Sequence, residues 1–286
     1  MKKISIAELM LLPITVGLIM TMFINGTALL TGGHEMSATF MNFYNKRAAG
    51  VLPAYSTFVM LATAVVQLTS SILLVWALVK RFLQGDRSGA LLKWGIWMAL
   101  VSVVLYGFAT RMISNHQAAA NLFYYTGLLY VLLWYVERQS TGRGQRFAQV
   151  KLLPMFFTLL YTMGQPGIQK LFFADEVVPK YVMMFKDTFL AQLPGGIPPF
   201  IYMLGVFETL VAVLVVVSLV RLEFLPTRSK TTLSLALLLG SLTFIMLTFG
   251  LSILLNYPGA TNLVFYAVFC LFFYIYAVKH THDDTL

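Results

Sequence analysis

The chain has 286 residues, 59% of them hydrophobic and only 11% charged, with a formal net charge of +9. A soluble domain carries about 25% charged residues, so this polypeptide lacks the polar surface of a water-facing body. Its apolar runs are continuous, which excludes the alternating segments of about ten residues that build a spanning barrel. The basic excess lies in short clusters between those runs, the pattern that encodes membrane topology, and gives no ground for a nucleic-acid partner.

The reading is an all-α polytopic membrane protein with eight transmembrane helices, each near the ~20 residues needed to cross a hydrocarbon core. Met1-Lys2-Lys3 resembles the charged start of a signal peptide, but the apolar run that follows extends past a 7–15-residue h-region. It is read as a retained first helix, about Ile6 to Leu30, with Pro13 near its start. A loop with His34, Glu35, Lys46 and Arg47 leads to the second span, about Tyr55 to Val79. Lys80-Arg81, Arg87 and Lys93 mark the connection to the third, about Leu92 to Ile113. A tight turn at Asn115-His116 opens the fourth, about Ala119 to Val136. The polar stretch Glu137 to Gln149 then divides the chain near its middle.

The second half repeats the order. Its spans are about Leu152 to Phe173, Phe200 to Val220, Thr232 to Leu255 and Ala260 to Val278. A shift of 141 residues aligns the halves without a gap: Pro13 meets Pro154, Gly26 meets Gly167, Glu35 meets Glu176, Arg87-Ser88 meets Arg228-Ser229, and Asn115 meets Asn256. Apolar matches are cheap in such a composition, whereas matches of these residue types in one register are not. The halves, 1–140 and 141–286, are therefore read as a tandem repeat of four-helix units. Four crossings return the chain to its starting side, so the units are parallel, related by a pseudo-two-fold along the membrane normal. Each outer loop carries aromatics at near-helical spacing, Phe40, Phe43 and Tyr44 in the first and Tyr181, Phe185 and Phe189 in the second, which predicts short interfacial amphipathic helices.

Orientation follows from the basic residues. Of the 20 Lys and Arg, only Lys46, Arg47, Arg111, Lys170, Lys180 and Lys186 fall on the side opposite the N-terminus. Both termini are expected in the cytoplasm, with the protein in the cytoplasmic (inner) membrane.

Two charges fall within or at the edge of apolar segments. Ionisable groups there cost about 2.5–3.5 kcal/mol each on insertion scales and normally have a partner. Glu208 lies roughly 12 Å into the sixth span at 1.5 Å per residue, and Lys170 sits near the same end of the fifth. Gly167 and Gly205 each lie one turn before a charge, so close backbone approach would bring Lys170 and Glu208 together. Two readings stand: a ligand-binding or proton-handling site with Tyr202 nearby, or a structural ion pair pinning two helices. At the 141 shift the first unit offers Gly26 for Gly167, but Leu29 for Lys170 and Gln67 for Glu208. A site, if built, belongs to the second unit.

Other chemistry is sparse. No histidine falls mid-span, there is neither a phosphate-binding glycine loop nor a nucleophile elbow, and no metal set or catalytic residue is assigned. Cys270 is the chain's single cysteine, read as a packing residue.

Gly167-x-x-Lys170-Leu171, an amphipathic loop ending near Leu193-Pro194, and Gly205-x-x-Glu208 inside an apolar helix together resemble the DoxX-like four-helix membrane family, which is similar to the MauE group. The resemblance covers about Leu152 to Val278. This chain departs from that pattern in being a fused pair whose first unit lacks both charges. The resemblance implies a helical bundle associated with redox partners, and carries over no catalytic mechanism. The expectation is a non-enzymatic membrane subunit that anchors or organises a larger assembly, with protein partners in the membrane or periplasm. The alternatives are a quinone- or lipid-linked oxidoreductase component with its site near Lys170 and Glu208, and a small-solute transporter.

Overall fold

The computed structural model describes residues 6–31, 53–85, 88–112, 116–140 and 144–283. Among them every regular element is helical. The chain divides into two compact units, Met1–Ala148 and Gln149–Leu286.

In the first unit, α1 (Ile6–Thr31), α2 (Pro53–Leu83), α3 (Ala90–Met112) and α4 (His116–Gln139) pack in chain order, each against the next. Hydroxyls tie the faces: Ser71 Oγ donates to the Ile19 carbonyl of α1 and Ser70 Oγ to the Gly95 carbonyl of α3. Such bonds suit helices in an apolar medium, where a hydroxyl has no water to fall back on. A short helix, α5 (Gln145–Val150), spans the division between the units. The first outer loop, with Phe40, Phe43 and Tyr44, lies outside the described residues.

The second unit opens with α6 (Leu153–Leu159), a π-helical turn (Leu160–Gly164) and α7 (Gln165–Phe172). This stretch is the predicted fifth span, and it is not one uninterrupted α-helix. The cause is Pro166. Its ring would clash with the carbonyl of Thr162 four residues back, and it has no N–H to give; widening the turn relieves both faults. The amphipathic helix predicted in the second outer loop is present as α8 (Ala174–Phe185), followed by a 3₁₀ turn at Phe189–Gln192. Its inner face brings Val178 and Phe185 onto Leu190, Ile197 and Ile201, with Tyr181, Ile253 and Leu254 packed around them. Then come α9 (Pro198–Val220), α10 (Thr231–Ile253) and α11 (Tyr257–Asp283), again packed in chain order.

Among the described residues seven helices, α1 to α4 and α9 to α11, are long and apolar enough to cross a membrane. Their exposed faces agree with that medium. On α9, Met203, Val206, Leu210, Val213 and Val220 are exposed, while Ile201, Leu204, Gly205, Glu208, Val211 and Val215 form the buried stripe. A helix apolar all round in this way belongs in lipid.

Candidate functional site

The buried stripe of α9 meets α7 at two glycines. A Cβ on Gly167 would lie 2.6 Å from the backbone nitrogen of Thr209 and 3.0 Å from the carbonyl carbon of Glu208. A Cβ on Gly205 would lie 2.9 Å from Lys170 Cβ and 3.1 Å from the Leu171 side chain. Each glycine thus fits against the residues bearing or flanking the opposite charge. No other residue allows the two backbones so near, which is the role of small residues between membrane helices.

That approach closes the charge pair. Lys170 Nζ donates to Glu208 Oε2 at 2.6 Å, with the side chains only 4% and 3% exposed. The Tyr181 ring of α8 lies 5.8 Å from Lys170 Nζ, within the range of cation–π attraction, so the amphipathic helix helps to cover the lysine. Tyr202 stands apart, 43% exposed on the outer face of α9 beside Met203 and Val206. On the same two helices, Gln165 Oε1 of α7 and Thr209 Oγ1 of α9 are buried without a hydrogen bond among the described residues.

The first unit has a glycine contact of its own, without charges. A Cβ on Gly26 would sit 2.9 Å from Leu68 and 3.3 Å from the Ala64 carbonyl, so α1 and α2 also meet at a glycine. Leu68 and Thr209 are related by the same shift of 141 that relates Gly26 to Gly167. Gln67, at the place of Glu208, is buried at 9% exposure, and its Oε1 accepts no hydrogen bond among the described residues.

A second buried acid escapes the sequence reading, which leaves 221–231 as the connection between two spans. Glu223 is 4% exposed. Its carboxylate accepts from Ser218 Oγ at 2.7 Å and from the backbone N–H groups of Thr232 at 3.2 Å and Leu233 at 2.8 Å. It therefore caps α10, whose own N-cap residue Lys230 supplies no side-chain cap. Burial alone would raise the carboxyl's pKa, but the Leu233 N–H, the Ser218 hydroxyl and the Thr232 contacts together hold it below the usual value. Lys230 is turned onto the carbonyls of Leu225 and Arg228. No spacing rule signals this. A capping-box acid lies three residues inside the helix, whereas Glu223 reaches back from the preceding loop, aimed by Leu222 in the left-handed region at φ 57°.

Among the described residues no group of three or more His, Cys, Asp or Glu is placed to hold a metal ion. Comparison with protein-family models, curated proteins and solved structures finds no match.

Proposed function

We propose that this chain is an integral membrane subunit that anchors or organises a larger membrane assembly, with Lys170 and Glu208 as the clamp of its second unit. The observation that carries the reading is the closed geometry of the pair. Both charges are withdrawn from solvent, joined at 2.6 Å and locked by glycines that leave no room at the α7–α9 contact. Charges so placed set a helix register more readily than they turn over a substrate.

In this reading the π-interrupted stretch Leu153–Phe172 is an eighth crossing, since its 20 residues suffice for a hydrocarbon core. The matched glycine contacts of Gly26 and Gly167 support a duplicated four-helix unit. The basic bias supports a cytoplasmic location for both termini. The DoxX-like resemblance supplies the ground for expecting a redox partner. The exposed apolar faces supply the surface on which membrane partners would assemble.

One observation favours a second reading, a quinone- or lipid-linked oxidoreductase component. Gln165 Oε1 and Thr209 Oγ1, on the two helices that carry the pair, are buried without a hydrogen bond among the described residues, and buried acceptors of this kind call for a polar partner.

Gentle extraction of the native membrane, followed by sizing and crosslinking of the full chain, separates the two. The first reading expects this chain in a reproducible complex that Glu208→Gln loosens. Recovery as a lone monomer overturns it. Recovery in a complex whose quinone reduction is lost with Glu208→Gln, while assembly persists, moves the assignment to the second.

A further inference from the structure

Helices α9, α10 and α11 wall a groove of about 800 Å³ that neither Lys170 nor Glu208 lines. Its lining is uneven: most of its polar residues lie together, the others being Tyr274 and Ser241, whose hydroxyl donates to the Ala267 carbonyl. Arg221, Thr231, Thr232 and Ser234 gather at one end, and Val217, Leu235, Leu238 and Leu271 carry the groove toward mid-helix. Leu235 is 50% exposed and Leu271 57%, so the apolar part opens sideways, where a bilayer surrounds the helices.

The polar end is cationic. Arg221, Arg228 and Lys230 share the loop with one acid, Glu223, whose carboxylate is occupied by Ser218 and the α10 N-terminus. Lys230 is occupied by backbone carbonyls. Arg221 differs: its Nη1 donates to Thr232 Oγ1 at 3.0 Å, which holds the guanidinium at the groove and leaves further N–H donors over. An oriented arginine at the mouth of an apolar groove matches a phosphate monoanion joined to a hydrocarbon chain. Basic recesses between membrane helices select anionic headgroups on this basis.

We propose that this groove binds one anionic phospholipid, its phosphate on Arg221 and an acyl chain along Leu235, Leu238 and Leu271. The test is native mass spectrometry of the full chain in mild detergent, with phosphatidylglycerol or phosphatidylcholine added in turn. One phosphatidylglycerol is expected to be retained about tenfold more strongly than phosphatidylcholine, the scale of one charge-assisted contact. Arg221→Gln should abolish that preference and Arg221→Lys should keep part of it. Leu235→Trp, at an exposed position that does not disturb the core, should lower retention of both lipids while leaving the unfolding temperature unchanged. Millimolar inorganic phosphate should not displace the lipid.

Equal retention of the two lipids, or a preference that survives Arg221→Gln, overturns the proposal. So does displacement by free phosphate, which would mark a simple anion site. A dimer that Leu235→Trp dissociates would show that a second copy covers the groove, and would overturn it as well.

Discussion

Placing a lysine and a glutamate in apolar surroundings strips both of water, and their attraction recovers the loss only when the geometry is good. Lys170 and Glu208 meet that condition at 2.6 Å. Removing one partner strands the other. Lys170→Met or Glu208→Gln is expected to cost about 3–5 kcal/mol, and the double replacement Lys170→Met with Glu208→Leu to recover most of it. SDS-driven unfolding in mild detergent measures all three, and a double variant as unstable as the singles would mean the pair does more than clamp. The loop pair Glu223 and Lys230 titrates in two separate windows. Burial lowers Lys230 from the ordinary 10.5 to about 8, Glu223 opposing that fall and Lys151 adding to it. Between about pH 8 and 10.5 the unfolded chain then holds the extra proton, so stability rises with pH across that window, and Lys230→Met should flatten the rise. Glu223, held below its usual pKa, acts at the acid end. Its contribution is full above the ordinary carboxylate range and is lost as pH falls through the lowered value. Unfolding midpoints taken across both windows check the signs.

At the scale of the element, what matters is whether a neighbour can give way. The Cβ of Gly167→Ala would press on the Thr209 backbone nitrogen, which cannot swing aside, whereas Gly17 has nothing within 4 Å. Gly167→Ala should therefore cost at least the 1–3 kcal/mol, roughly, of overpacking, and Gly17→Ala should be neutral or better by up to about 1 kcal/mol. Unfolding midpoints of the two variants side by side decide it. The glycine contacts were legible in the sequence because a glycine one turn from a charge states both where the backbones meet and what the approach brings together. The split of the predicted fifth span was half legible. Pro166 is visible as a breaker, but whether a helix answers with a kink, an end or a widened turn depends on how its neighbours hold it. The Glu223 cap was not legible, because it joins residues nine and ten positions apart across a loop.

For the whole molecule, composition and the length of the apolar runs settled the membrane character, since no other medium accommodates faces such as that of α9. Orientation rests on the basic residues alone and is open to direct measurement. With the native thiol removed by Cys270→Ala, Asn256→Cys in intact cells should react with a membrane-impermeant maleimide and Gln84→Cys should be protected. The reverse pattern would invert the assignment. The π turn has a consequence for how alike the two units are. Pro13 to Gly26 and Pro154 to Gly167 contain the same number of residues, yet only the second stretch passes through a turn wider than 3.6 residues. Residues on the two sides of that turn are rotated relative to one another by an amount that α1 never acquires. A graft of 152–172 into the place of 11–31 would match in count and still point its side chains along the wrong azimuths.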